Sequence, residues 1–266
     1  MEKLMDIYVP SLSRANKIAE SHRTVGHLCR VPTLVPRIHV VAPEDQYDDY
    51  VASLDPLGVD VLSCPVNGID KVRHWIGMRA QAMGQSTFCM MDDDLTFARR
   101  ITPGDWHARQ STAEDIREMI EKVEQLLMQG YAAVGVSARE GNNRLTGDVK
   151  ENTRMIRVLS FHTKTFLECE HGRVPVMEDF DVLLQLLRKG LPNVVTVNFL
   201  QGQRATQETG GCSDYRTLKN HSAAAEKLAE LHKGFVSLRI KKNKGDFGVR
   251  KEVTIQWKKA FDSAGK

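Results

Sequence analysis

Apolar residues fall in short runs through the first third of the chain, with strand character over residues 6–9, 37–42, 59–64 and 87–91. Stretches of helical period lie between the later runs, near 44–54 and 70–83. Short apolar strands alternating with helices predict an α/β fold, built on a mixed, mostly parallel sheet with helices on its flanks. An amphipathic helix is predicted over 113–129, where Ile116, Met119, Ile120, Val123, Leu126 and Leu127 form one apolar face. Ser111 and Glu114 have the spacing of a capping box, and Gly130 supplies the stop.

Strand patterns return at 131–137, 155–161 and 193–199. The polar segment 139–152, rich in Gly, Asn and charge, reads either as a lid or as a surface excursion. A further helix opens at Val176-Met177-Glu178-Asp179-Phe180-Asp181, carries Val182, Leu183, Leu186 and Leu187, and stops at Gly190. A short helix over 223–231 and a hairpin from 235–240 and 249–257 complete the pattern. Without repeats or a linker-like tract, the expectation is one domain over 1–266, with 233–261 as a basic C-terminal hairpin or arm.

Composition narrows the class. With 41% hydrophobic and 27% charged residues, this is an ordinary globular sequence. No apolar run reaches the roughly 18 to 20 residues that span a bilayer. The start, MEKLMDIYVPS, lacks the apolar region of a signal peptide, so the expected location is the cytoplasm, with no membrane partner. Cys29, Cys64, Cys89, Cys169 and Cys212 are odd in number and widely spaced, which suggests neither a zinc site nor a disulfide framework. The net charge of +3 is unevenly distributed: nine Lys or Arg against two acids lie between Lys233 and Lys259. That segment carries +7, so the rest of the chain is mildly acidic.

The most informative stretch is TFCMMDDDL, an apolar strand running into Asp92, Asp93 and Asp94. Three adjacent carboxylates at the end of a buried strand repel one another and are costly to desolvate, which points to a divalent cation or a proton-transfer task. A D-x-D pair, Asp92 and Asp94, suits Mg²⁺ or Mn²⁺ held by one or two carboxylates and otherwise by water and phosphate oxygens. His162 and His221 are candidates for a third ligand.

Ligands of parallel sheets bind at the carboxyl ends of the strands. Pro10, Ser11 and Arg14, after the first strand, are therefore candidates for a nucleotide's base or ribose, with Asp93 beside them. Arg73, on the helix before the D-x-D strand, has the fork that grips a diphosphate, although a lone helical Arg is commonly a solvated one. Glu178, Asp179 and Asp181 open a helix, where carboxylates act either as dipole partners or, in Asp179 or Glu178, as a general base for an acceptor hydroxyl. Phe235, Phe247 and Trp257, interleaved with Lys241, Lys242, Lys244, Lys258 and Lys259, give the hairpin the content of a nucleic-acid surface. Arg204 lies in the polar loop 203–211, expected near the acceptor.

The segments YVPSLSRA, GIDKVRHWIG, FCMMDDDLTF, VMEDFDVLLQLLRKG, GQRATQETGGCSDYR and GFVSLRIKKNKGDFGVRKEVTIQWKKAF together resemble the phage-type glycosyltransferases associated with TET/JBP oxygenases. The resemblance runs over nearly the whole chain, 7–261, and its most specific parts are GGCSDYR and VTIQWKKAF. It implies a GT-A fold and sugar transfer from a nucleotide sugar to a 5-hydroxymethylpyrimidine in DNA, with 5-hydroxymethylcytosine the foremost acceptor. It also implies a metal-bound UDP-sugar at Asp92 and Asp94, Arg73 near the diphosphate, acceptor activation by Glu178 and Asp179, and a basic tail on the DNA phosphates. A target base inside a duplex would have to be flipped out to reach Asp179.

Two other readings compete. Asp92-Asp93-Asp94-Leu95-Thr96 also fits D-x-D-x-T of haloacid-dehalogenase-type phosphatases, with Asp92 as nucleophile and Asp94 as acid/base. That motif belongs after a first strand, and three strands precede it here. A non-enzymatic DNA-binding protein accounts for the hairpin and leaves both acidic clusters without a task.

Overall fold

A computed structural model describes residues 5–102, 107–139, 147–203, 217–242 and 249–265. Strands β1 (Asp6–Pro10), β2 (Ile38–Pro43), β3 (Asp60–Cys64) and β4 (Thr87–Met91) pair in parallel in the order β3-β2-β1-β4. Ile7, Val9, Val40, Cys89 and Met91 belong to one core, while Tyr8, Val41, Phe88 and Met90 belong to another on the opposite face. Because helices cover both faces, these strands read as continuous apolar runs and not as alternating ones.

The sheet continues through β9 (Val158–His162), β7 (Ala133–Ala138), β10 (Asn193–Gln203), β5 (Leu95–Arg100) and β6 (Ala108–Gln110), and β8 (Val149–Glu151) pairs with β10. β9, β5 and β8 run against the others, so the sheet is mixed and mostly parallel, as expected. α4 (Ala113–Met128) presses Ile116, Met119, Ile120, Val123, Leu126 and Leu127 into the first core. α3 (Ile69–Ala82), α5 (Thr163–Leu167) and α6 (Glu178–Arg188) close the second.

A third, smaller core joins α6 to α7 (Leu218–Leu231), to the hairpin β11 (Val236–Lys242) and β12 (Val249–Ile255), and to α8 (Trp257–Asp262). The basic hairpin is therefore present, with Val236 opposite Ile255 and Lys242 opposite Val249.

Several expectations need correction. The capping box of α4 is Thr112 with Asp115, one residue later than the Ser111–Glu114 pair, because the Ser111 amide still bonds to Phe97 O in strand fashion (3.0 Å). The Asp triplet leads into a strand, β5, that the apolar pattern did not announce. Lys258 and Lys259 lie on α8 and not on the hairpin, and Lys259 Nζ donates to Gly234 O (3.1 Å). The helix expected at 223–231 begins at Leu218. Arg204, Lys244, Phe247, Cys212 and the GGCSDYR segment lie outside the described residues.

Candidate active site

The turn Asp92-Asp93-Asp94 joins β4 to β5 at the carboxyl edge of the parallel strands. Thr24, which opens α1 (Thr24–Leu28), pins it from beneath: its hydroxyl donates to Asp92 O (2.5 Å) and accepts from the Leu95 amide (2.9 Å). The Asp92 amide donates to Arg157 O (3.0 Å) at the start of β9. Arg157 has φ +67°, a left-handed conformation that costs a non-glycine residue about 1 kcal/mol or more.

The three carboxylates point to different neighbours. Asp93 is 4% exposed and turned inward, where it is ion-paired with Arg14 and accepts from the Ser11 hydroxyl (2.5 Å). Ser11 also bonds the Tyr50 hydroxyl (2.8 Å), which in turn accepts from the Arg14 amide (3.0 Å). Burial pushes the Asp93 carboxyl up to about 6, against the pull of Arg14. Asp92, its side chain 28% exposed, accepts from Arg73 Nη2 (2.9 Å). Burial again raises its pKa, and Arg73 opposes the shift. Asp94 accepts from Gln203 Nε2 (2.8 Å) at the end of β10 and from Arg14 (3.3 Å).

Arg73 is the keystone. Its other terminal nitrogen binds Glu178, the first residue of α6, so one guanidinium spans the Asp triplet and the second acidic cluster. Burial, only partly offset by Arg73 and aggravated by Asp179, pushes Glu178 up to about 7. Met177, immediately before, has φ +67° and turns the chain abruptly into the helix. Asp179 follows, half-buried, with one oxygen accepting the Phe180 amide (2.9 Å).

Two nominated residues fall elsewhere. His162 is not beside the aspartates, because β9 runs against β4 and pairs His162 with Thr87, at the opposite end of the strand. Five residues of strand separate the two positions, about 16 Å at the rise of an extended chain. Its Nε2 contacts Leu127 O (3.1 Å) at the end of α4. His221 sits on α7 against Glu252 (3.5 Å). Asp181 is not free to act as a base: it is buried, ion-paired to Arg173 (2.5 Å) and bonded to His232 Nε2 (2.7 Å), and these partners hold its pKa below the ordinary carboxylate value despite burial. Its work is structural, tying α6 to the chain that enters the hairpin.

Pro10, Ser11 and Arg14 lie at the triplet as expected, but the side chains of Ser11 and Arg14 serve Asp93. Thr24, Tyr50, Arg157 and Gln203 belong to the site and were not nominated. Gln203 had a signal in the polar loop it opens; Thr24, Tyr50 and Arg157 had none, since their contacts join segments far apart in sequence. Among the described residues no group of three His, Cys, Asp or Glu is arranged to hold a metal ion. Thr96 of the D-x-D-x-T pattern lies within β5, where its hydroxyl donates to Gly202 O (3.2 Å). Among the described residues no helix is long and apolar enough to cross a membrane.

The model of the TET-Associated Glycosyltransferase family matches residues 5–211. No curated protein matches the sequence. Among solved structures, the chain is similar to S. aureus TarS 1-349 in complex with UDP, at 12% identity and TM-score 0.49, over 86% of this chain and 65% of that one. It is also similar to mannose-1-phosphate geranyltransferase from Thermus thermophilus, at 12% identity and TM-score 0.40, over 71% and 61%. A putative glucose-1-phosphate thymidylyltransferase from Bacillus anthracis matches at 12% identity and TM-score 0.42, over 85% and 94%. The chain thus spans less than two thirds of the length of the first two. The family match replaces both the phosphatase and the non-enzymatic readings. This α/β chain, with its mixed, mostly parallel sheet, belongs to the TET-associated glycosyltransferase family.

Proposed function

We propose that the protein moves a sugar from a UDP-sugar to the hydroxymethyl group of a 5-hydroxymethylpyrimidine in DNA, with 5-hydroxymethylcytosine the foremost acceptor and Mn²⁺ or Mg²⁺ assisting. The observation that carries this reading is the Arg73 bridge, which joins a partly exposed D-x-D turn to a Glu-Asp pair at a helix N-terminus. Membership of the TET-associated family supports the DNA acceptor.

Asp92 and Asp94 fit a hard cation, since both retain exposure while Asp93 is sealed beneath them. A bound Mg²⁺ or Mn²⁺ would neutralise the departing diphosphate. Arg73, its fork held by Glu178 and Asp92, would set its positive charge beside that diphosphate. Asp179, whose second oxygen accepts no hydrogen bond from the described residues, is the proposed base. It takes the hydroxymethyl proton as the acceptor oxygen bonds to the anomeric carbon and the bond to the diphosphate breaks. Attack opposite the leaving group, with a positioned base, implies inversion. Residues 1–266 act as one catalytic unit in this scheme, with Lys241 and Lys242 of the 233–261 arm on DNA phosphates.

The test is nucleoside mass spectrometry of DNA carrying 5-hydroxymethylcytosine or 5-hydroxymethyluracil, after incubation with the protein, Mn²⁺ and a panel of UDP-sugars. A gain of one sugar mass on either base is expected. Release of UDP with no gain on either base would refute the DNA acceptor.

A further inference from the structure

The hairpin leaves an apolar stripe uncovered. In a two-stranded ribbon, residues two apart and their cross-strand partners share a face. Val236, Leu238, Ile240 and Lys242 therefore lie with Ile255, Val253, Lys251 and Val249. At the base of this face Val236 is buried in the third core, where Val253 and Ile255 pack against it. Beyond them Leu238, Ile240 and Val249 are 45%, 61% and 64% exposed. Single exposed aliphatic residues need no explanation, but three on one face, continuous with a core, mark a contact surface.

The ribbon is anchored beside the proposed base. Trp257, just past β12, packs edge-on against Phe180 with ring centroids 5.4 Å apart, and Phe180 follows Asp179 in sequence. His232, just before β11, bonds Asp181 (2.7 Å), and Arg188 of α6 lies over the Phe235 ring at 5.4 Å. Both strands thus rise from the helix whose first turn carries Glu178 and Asp179.

Charge selects the occupant. Lys242 lies on the apolar face, where Lys251 is ion-paired with Glu226 of α7, and Arg239 and Lys241 lie on the reverse. A second copy of this face would bring like charges together at the seam, whereas a polyanion satisfies them. A two-stranded ribbon also has the width of a duplex groove.

Building on the proposed DNA acceptor, we infer that the Leu238–Ile240–Val249 face is an interaction surface for duplex DNA: Lys242 at its edge meets a phosphate, and the aliphatic side chains press on bases left unstacked when the acceptor nucleotide swings toward Asp179. Apolar side chains inserted at a base step offset the loss of stacking there.

The test uses the full chain and a short duplex with 2-aminopurine beside one 5-hydroxymethylcytosine. The triple variant L238S/I240S/V249S changes exposed positions, and its melting temperature is checked first. It should bind the duplex at least tenfold more weakly and lose the rise in 2-aminopurine fluorescence, while keeping the salt dependence of the parent. The variant R239Q/K241Q/K242Q should instead flatten the salt slope by about 1 to 3, near 0.9 for each phosphate that is no longer neutralised, and retain the fluorescence rise at saturation. A serine variant that binds and unstacks the duplex like the parent overturns the inference, as does a parent that does not bind duplex. A parent dimer that the serine variant dissolves, seen by sedimentation, would assign the face to a second copy and also overturn it. Sugar transfer to the same oligonucleotide is read separately. Binding and unstacking without transfer would refute the proposed function alone; transfer unaffected by the serine changes would refute this surface alone.

Discussion

Replacing Glu178 with glutamine isolates the electrostatics of the Arg73 bridge. Burial raises the Glu178 pKa from 4.5 to about 7, even with Arg73 in contact. A raised carboxyl pKa means that the folded protein binds the proton more tightly than the unfolded chain does. The corresponding stability is fully present below the unfolded value and is lost as pH rises through the folded one. Between about pH 5 and about pH 8 the loss amounts to roughly 2.5 kcal/mol, at 1.36 kcal/mol per pKa unit. Glutamine does not titrate and still accepts from Arg73. Urea unfolding of parent and Glu178→Gln at the two pH values should therefore show the difference between them moving in favour of the variant by about 2 to 3 kcal/mol. Equal shifts for both proteins, within about 0.5 kcal/mol, would refute the argument. They would mean that Arg73 fully compensates the burial of Glu178.

Arg14→Met keeps the stem and removes the guanidinium from buried Asp93, so unfolding free energy should fall by about 3 to 5 kcal/mol at neutral pH, the cost of leaving a buried charge unpaired. Adding Asp93→Asn should recover much of that loss in the same urea titration. Asp94→Ala should abolish sugar transfer measured by nucleoside mass spectrometry and leave salt-dependent DNA binding intact, whereas His162→Ala, at the far end of the sheet, should leave transfer unchanged. Gly135→Ala in β7 should cost about 1 to 3 kcal/mol of stability by overpacking, because its Cβ would lie 2.3 Å from Met155 Cγ and 2.9 Å from Val158 O; a variant as stable as the parent in urea would refute the close approach.

What could be read from the chain was what neighbouring residues encode. The apolar runs before Ser11 and Asp92 mark strands buried on both faces, and the opening of α6 with Glu178 and Asp179 follows from a helical period and its stop at Gly190. β5 escaped because half of its residues look like surface. Arg100 is buried and donates to Val197 O (2.8 Å), and Arg99 lies over the Phe199 ring at 4.4 Å, contacts made only when β10 arrives almost a hundred residues later. His162 was misplaced for a related reason: strand direction decides which end of β4 it meets, and β9 runs antiparallel. Arg14 was nominated for a ligand because its position was legible and its partner, 79 residues away, was not.

The position of Arg14 changes the argument for a cation without removing it. Three adjacent carboxylates first suggested a metal because nothing nearby in sequence neutralises them. In the fold, Arg14 answers Asp93 and Arg73 answers Asp92 and Glu178, so the triplet is stable as a protein feature. Taking the described groups together, Asp92, Asp93, Asp94, Glu178 and Asp179 face Arg14, Arg73 and Arg157, five carboxylates against three guanidiniums. With all five ionised, the cluster keeps an excess of two negative charges, in surroundings that already raise the pKa of Asp92, Asp93 and Glu178. A nucleotide diphosphate brought to such a cluster would meet repulsion that Arg73 alone does not cancel. A divalent cation held by Asp92 and Asp94, as proposed, would remove that excess where the leaving diphosphate gathers charge, and would so connect a self-sufficient fold to the chemistry proposed for it.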